Sequence, residues 1–317
     1  MTSGAALKQG FRLARRSRAA VWILFLTNLG LAALAALPIY RGILRFTGYS
    51  LMSQELVRGL AADWLTDFAI NNPGALERYA AVITLVALLA IPVNAVLAGG
   101  VLCRLRDPEA GFSLGGFFRD TARYAWRLIR LMILGLICYW IVLRLLNQGL
   151  SRHIGEWTHD WQSDRAVFWL QLGVSIVVLL GLGFVNLILD YARLKLVMED
   201  GSSAACAFFS SLGFCLARFR RAVAVYILPT LCGLALLGLY RLVVPWSVIN
   251  APVSEGTWAQ YRGPLLVALL FLGQQVVIFG RFWFRVATWA SEWSYYAGTR
   301  PGAAPPAPVP AEAPLPI

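Results

Sequence analysis

Apolar residues along this chain come in long unbroken runs separated by short arginine-rich stretches, without the alternation of a strand or the one-sided stripe of a surface helix. Six runs stand out, at 19–40, 79–103, 131–150, 166–189, 222–240 and 263–280. A helix needs roughly 20 apolar residues to cross the hydrocarbon core of a bilayer. Continuous runs read as helices, because barrel strands alternate over roughly ten residues. The first, second and fourth runs hold no charge; the third contains Arg144, the fifth Pro229, and the sixth Gln274 beside Gln275. The pattern predicts an all-α polytopic membrane protein with six transmembrane helices and both termini on one side.

Composition removes the main alternatives. Of 317 residues, 59% are hydrophobic and 14% charged, against roughly 45–50% and 25% in soluble domains. Too little polar sequence remains to cover an outside, which excludes a soluble enzyme, a disordered chain and a disulfide scaffold. Cys103, Cys138, Cys206, Cys215 and Cys232 are odd in number, avoid the outer loops and form no C-x-x-C, so they are expected to be reduced thiols.

Charge sets the orientation. Nineteen basic residues, from Lys8 through Arg130 and Arg193 to Arg300, flank the runs on one side, eight on the other, and Arg144 lies within a run. The 16 acids divide evenly, leaving one side at +11 and the other neutral. The positive-inside rule then places both termini in the cytoplasm. Only Lys8 and Lys195 among the 28 basic residues are lysine, a usage expected of a GC-rich bacterial genome and hence of a bacterial inner membrane. A sequence pI near 10 points to nucleic acid in a soluble protein. Here anionic headgroups supply the counter-charge, and no zinc-finger or RNA-binding motif occurs, so nucleic acid is not an expected partner. The first run, at 22 residues, exceeds the roughly 7–15 of a signal-peptide core and reads as a retained helix.

An internal similarity precedes the first, third and fifth runs. Gly10-Phe11-Arg12-Leu13-Ala14-Arg15 and Gly213-Phe214-Cys215-Leu216-Ala217-Arg218 share the pattern G-F-x-L-A-R, and Gly116-Phe117 through Ala122-Arg123 is a looser copy. This predicts three repeated units, each a basic amphipathic helix followed by a helical hairpin. Near the last copy Phe208, Leu212, Cys215, Leu216 and Phe219 recur at helical spacing. Such a helix is expected to lie in the headgroup layer as an elbow, apolar side down, with arginines on lipid phosphate. Arg12, Arg15, Arg16, Arg18, Arg123, Arg127, Arg218, Arg220 and Arg221 are therefore the candidate anionic-lipid contacts.

The segments Gly10–Leu24, Gly116–Leu131, Asp190–Glu199 and Gly213–Leu228 resemble poorly characterised bacterial six-helix membrane families, including the membrane domain attached to some glycerophosphodiester phosphodiesterases. The resemblance implies an architecture. It assigns no catalytic residue, since no part of the 317 residues resembles that family's hydrolase domain.

Between the first two runs, Leu56, Val57, Leu60, Trp64, Leu65 and Phe68 predict a short interfacial helix, with Asn72 as a cap and Pro73 starting the second span. Trp157, Trp161, Trp169, Trp246 and Trp258 fit an outer aromatic belt, Trp22 and Trp126 an inner one. Residues 1–300 are expected to form the membrane domain. Residues 301–317, with seven prolines, read as a disordered cytoplasmic tail.

Candidate chemistry is sparse. His153, Glu156, His159 and Asp160 are metal-capable, but they lack the H-E-x-x-H spacing and are expected to form a polar loop without a metal. Arg144 lies about 20 Å up its helix from Arg130 at 1.5 Å per residue, where it snorkels or marks a site. Asp190 is expected at the headgroups or paired with Arg281 or Arg104. Asn28, Asn94, Asn186, Gln274 and Gln275 either line a polar passage or make interhelical hydrogen bonds. No nucleotide-binding, cofactor or nucleophile motif occurs. Two functions follow. One is a non-enzymatic component binding lipid or a membrane-protein partner through the basic face. The other is a small permease or channel subunit, which requires the polar groups to share a cavity.

Overall fold

The computed structural model describes residues 2–48, 62–108, 111–158, 164–243 and 259–299. The expected tail at 301–317, the loop residues Leu56, Val57 and Leu60, and His159, Asp160, Trp161, Trp246 and Trp258 lie outside them. Every regular element among the described residues is helical. In chain order these are α1 (Ser3–Arg16), α2 (Arg18–Thr47), α3 (Ala62–Asn71), α4 (Ala75–Arg106), α5 (Leu114–Val142), a π-helical stretch (Leu143–Gly149), α6 (Leu150–Thr158), α7 (Asp164–Met198), α8 (Ala204–Ala217), α9 (Phe219–Val243) and α10 (Ala259–Ala297). Among the described residues six helical segments are long and apolar enough to cross a membrane, as the hydrophobic pattern predicts, which is the form of a multi-pass membrane protein.

The helices overrun the apolar runs that predict them, and one overrun matters. The sixth run ends at Gly280, where Arg281 and Arg285 signal the end of a span, yet α10 continues without a break to Ala297. The extension is helical because it has a face to bury: Val286, Ala287, Ala290, Ser291, Ser294 and Ala297 are all buried.

The short helix before each odd-numbered span takes three different forms. Thr2 caps α1, which ends at a break at Ser17. Before the third span there is no break, and α5 runs straight from Leu114 to Val142. The helix α8 is separate but carries no charged residue; Arg218, Arg220 and Arg221 lie after it, at the break and in the first turn of α9. The expectation of a basic amphipathic helix at all three places therefore needs correcting at α8. Likewise Asn72 does not cap the second span. Its backbone and side-chain N–H groups both donate to the Phe68 carbonyl, closing α3, while α4 begins at Ala75 after Gly74 at φ +74°.

The chain divides into two compact units. One comprises Arg18–Asn94 and Leu228–Val286. In it Asn28 and Asn94 donate to each other's side-chain oxygens, at 2.8 and 3.0 Å. Phe279 meets Trp22 and Phe25 at 4.7 and 5.6 Å, and Phe68 packs against Phe46 and Tyr79. The other comprises the described residues of Met1–Ser17, Ala95–Ile227 and Ala287–Ile317. There the end of α7 is buried almost continuously from Leu187 to Met198, packed against α5 and α8.

Small residues permit close approach in this second unit. Ala6, Gly10 and Ala14, spaced by four on α1, are all buried. A Cβ added at Gly10 would stand 2.6 Å from Ser291 Cα, so α1 lies backbone to backbone on the end of α10. Gly10→Leu should therefore lower the thermal midpoint in detergent by the equivalent of about 1–3 kcal/mol. Gly4→Ala, with nothing within 4 Å of the new methyl, should leave it unchanged. Equal midpoints for Gly10→Leu and the unaltered protein would mean that α1 is not docked.

Candidate functional site

Most of the buried polar groups collect in one place, where the ends of α7 and α10 meet α8. Helical spacing puts Asp190, Tyr191 and Lys195 along α7, Ser211 and Cys215 along α8, and Thr288, Ser291, Glu292 and Tyr295 along α10, all buried. Asp190 and Glu292 are wholly excluded from solvent. Charges in that position need partners, because a lone buried ion costs far more than the fold can supply.

Asp190 has them. Its Oδ1 accepts from Arg193 Nη1 at 2.6 Å and from Trp289 Nε1 at 3.2 Å. The expected ion pair is present and Arg193 makes it, while full burial corrects the expected headgroup position. Arg193 is three residues on along the same helix, so it shares the face of Asp190 and reaches it first. Lys195 Nζ donates to Ser210 Oγ at 2.5 Å and lies over the rings of Phe214 and Tyr296. Tyr296 donates its hydroxyl to Glu199. Phe214 also meets the rings of Tyr191 and Tyr295, tilted and edge-on, at 5.1 and 6.2 Å, which makes it the apolar centre of the cluster. The hydroxyls of Tyr191, Ser211 and Tyr295 are buried with no hydrogen-bond partner among the described residues. Burial first, then the nearby Glu292 charge, push the Cys215 thiol up to about 12. A thiol so protonated is a poor nucleophile at neutral pH.

Around this core the arginines face outward. Arg12, Arg15, Arg16, Arg18, Arg218, Arg220 and Arg221 are exposed. Among the described residues none of them makes an ion pair, though Arg218 lies 5.0 Å over Phe214. Arg123 and Arg127 differ. One turn apart on α5, they hold the two oxygens of Asp200 at 2.7 and 2.6 Å, and Arg127 also donates to the Gly201 carbonyl. Asp200 sits in the left-handed region, at φ +52°, a conformation this clasp holds in place.

The remaining candidates are not brought together. Asn94 is taken by Asn28. Asn186 accepts from the Tyr139 hydroxyl at 3.3 Å and donates to that of Tyr226 at 2.6 Å. Arg144 is exposed in the π-helical stretch, over the Trp140 ring at 5.5 Å, and Asn147 and Gln148 beside it are exposed too. Gln274 is exposed and Gln275 half-buried. His153 is exposed, 3.6 Å from Glu156, and among the described residues no group of three metal-capable side chains forms.

Glu292 and the Asp200 clasp escape the sequence reading. Glu292 carries a faint signal, as a lone acid in an Ala- and Ser-rich helical repeat at 287, 290, 291 and 294. The clasp carries none, since its partners lie more than 70 residues apart. Comparison of the chain with protein-family models, with curated proteins and with solved structures finds no match in any of the three.

Two predictions follow from these charges. Arg193→Met strips the guanidinium from a wholly buried carboxylate and should cost about 3–5 kcal/mol, read as a lowered thermal midpoint. Adding Asp190→Asn should restore most of that loss. The Arg127 hydrogen bond first, and then the two guanidinium charges, lower the Asp200 carboxyl below its ordinary 3.8. The clasp is thus fully formed above that ordinary value and is lost only as pH falls through the depressed one. Amide protection factors over residues 199–203, each rate being taken against the intrinsic rate at its own pH, should therefore match at pH 7 and pH 5. Asp200→Asn should lower them at both.

Proposed function

We propose that this chain is a non-enzymatic component of a bacterial inner membrane, with both termini cytoplasmic, that binds anionic lipid through its arginine-bearing face. One observation carries the reading: the arginines at the break before α2 and at the break before α9 are left without acidic partners among the described residues. Asp190 and Glu292 are buried, Glu199 accepts from Tyr296, and Asp200 is clasped, whereas the arginines of both breaks stay exposed and without an acid among the described residues. Side chains that the protein's own acids leave uncompensated suit lipid phosphate, at about 1 kcal/mol each near an anionic surface.

The permease reading requires its polar groups to share a path. Asn28 with Asn94, and Asn186 with Tyr139 and Tyr226, are instead satisfied in small sets, and Arg144 and Gln274 lie on the exposed surface. These pairings favour a closed bundle over a conducting one.

The test is lipid selectivity. Extracted from vesicles of equal dioleoyl-phosphatidylglycerol and dioleoyl-phosphatidylcholine, the protein should retain the anionic lipid several-fold in excess, as read by mass spectrometry of the bound lipid. Replacing Arg12, Arg15, Arg16, Arg220 and Arg221 together with glutamine should bring the ratio close to parity. Parity in the unaltered protein would sink the proposal.

A further inference from the structure

The arginines of α5 form a stripe at 119, 123, 127 and 130, and Asp200 occupies only the middle two. Arg130, the one nearest the apolar stretch, is exposed, lies over the Trp126 ring at 5.1 Å and has no acidic partner among the described residues. It opens onto a cavity of about 510 Å³ whose walls are Arg130, Leu134, Ser202, Ser203, Ala204 and Ala205. The Ser203 hydroxyl is committed, accepting from the Cys206 N–H as the cap of α8. Ser202 is exposed beside it.

We propose that this groove, between α5 and the first turn of α8, holds one anionic phospholipid, with its phosphate on Arg130 and Ser202 and its acyl end along Leu134. Charge complementarity selects the headgroup. Arg130 is the cation of its stripe closest to the hydrocarbon that the Asp200 carboxylate leaves unneutralised, and a guanidinium binds phosphate by charge-assisted, paired hydrogen bonds. The shape selects an amphiphile over a free anion. A phosphate ion needs a small fraction of that volume and gains nothing from Leu134, Ala204 and Ala205. Leu134 is one helical turn beyond Arg130, about 6 Å at 1.5 Å per residue. That matches the roughly 5–8 Å depth of a headgroup layer, the difference between a ~30 Å core and a ~40–45 Å bilayer shared over two sides. Beside and beyond Leu134, the exposed Ile133 and Ile137 continue an apolar surface on α5.

The inference rests on the lipid-binding reading and narrows it to a single saturable site. Delipidated protein in detergent is titrated with dioleoyl-phosphatidylglycerol, and native mass spectrometry counts the molecules bound. The unaltered protein should bind one molecule at least tenfold more tightly than the rest, and than any dioleoyl-phosphatidylcholine. Arg130→Gln should weaken that first event at least tenfold. Leu134→Trp, which fills the groove and keeps every charge, should do the same, while Arg16→Gln should not. If Arg130→Gln and Leu134→Trp both bind as the unaltered protein does, the groove is not the site, although the wider preference for anionic lipid stands. Weakening by Arg130→Gln alone also overturns the groove, since it reduces Arg130 to one more surface charge. If inorganic phosphate at matched concentration displaces the first molecule, the acyl contact is idle and the proposal fails in that part. Equal binding of the two lipids by the unaltered protein fails the parent reading instead.

Discussion

A chain this apolar has one governing constraint: every charge must find either solvent, a headgroup or an opposite charge, because hydrocarbon offers none of them. The structure meets it by location. Charges are almost absent from the middle of the six long helices and crowd their arginine-bearing ends. Asp190 and Glu292 turn inward and are covered, Glu199 and Asp200 stay exposed but bonded to Tyr296 and to the α5 arginines, and most guanidinium groups turn outward on long stems. The Asp190–Arg193–Trp289 set joins a local cation, three residues on, to a donor from α10. A helix that supplies its own cation three residues later can bury an acid wherever its end is enclosed.

Packing follows from the same constraint. Between helices in lipid there is little hydrophobic gain, so close contact must come from shape. That explains why the tightest places are built on residues with almost no side chain: Gly10 against Ser291, and Gly100 against Thr121 and Phe117. It also explains the two styles of polar contact. Where helices run through apolar sequence, amides close on each other, as Asn28 does with Asn94. At the arginine-bearing end, tyrosines, serines and charges share one larger cluster around Phe214.

The six spans were legible because hydropathy over twenty residues is a strong, local signal. Their ends were less so. Arg281 and Arg285 look like the edge of a membrane, and only the small-residue spacing from Ala287 to Ala297 hints that the helix goes on to bury Glu292. The similarity of Gly10-Phe11 to Gly213-Phe214 is real as sequence, but it says nothing of charge placement: α1 carries its basic residues within it, whereas α8 carries none. Pairings were the least legible. Asp190 had several arginines within plausible reach, and choosing among them needs three-dimensional proximity. The candidates grouped as a polar passage shared only composition: the fold pairs Asn28 with Asn94, sets Asn186 between Tyr139 and Tyr226, and leaves Gln274 exposed.

The close approach of Gly10 on α1 to Ser291 on α10 joins two segments that leave the ribosome far apart in time. Ribosomes add roughly 5–20 residues each second, so the 281 positions between Gly10 and Ser291 take on the order of 14 to 56 s to appear. For that whole interval the seat for Gly10 does not yet exist. Docking of α1 is consequently not completed in order of birth, and it waits until the end of α10 has been made.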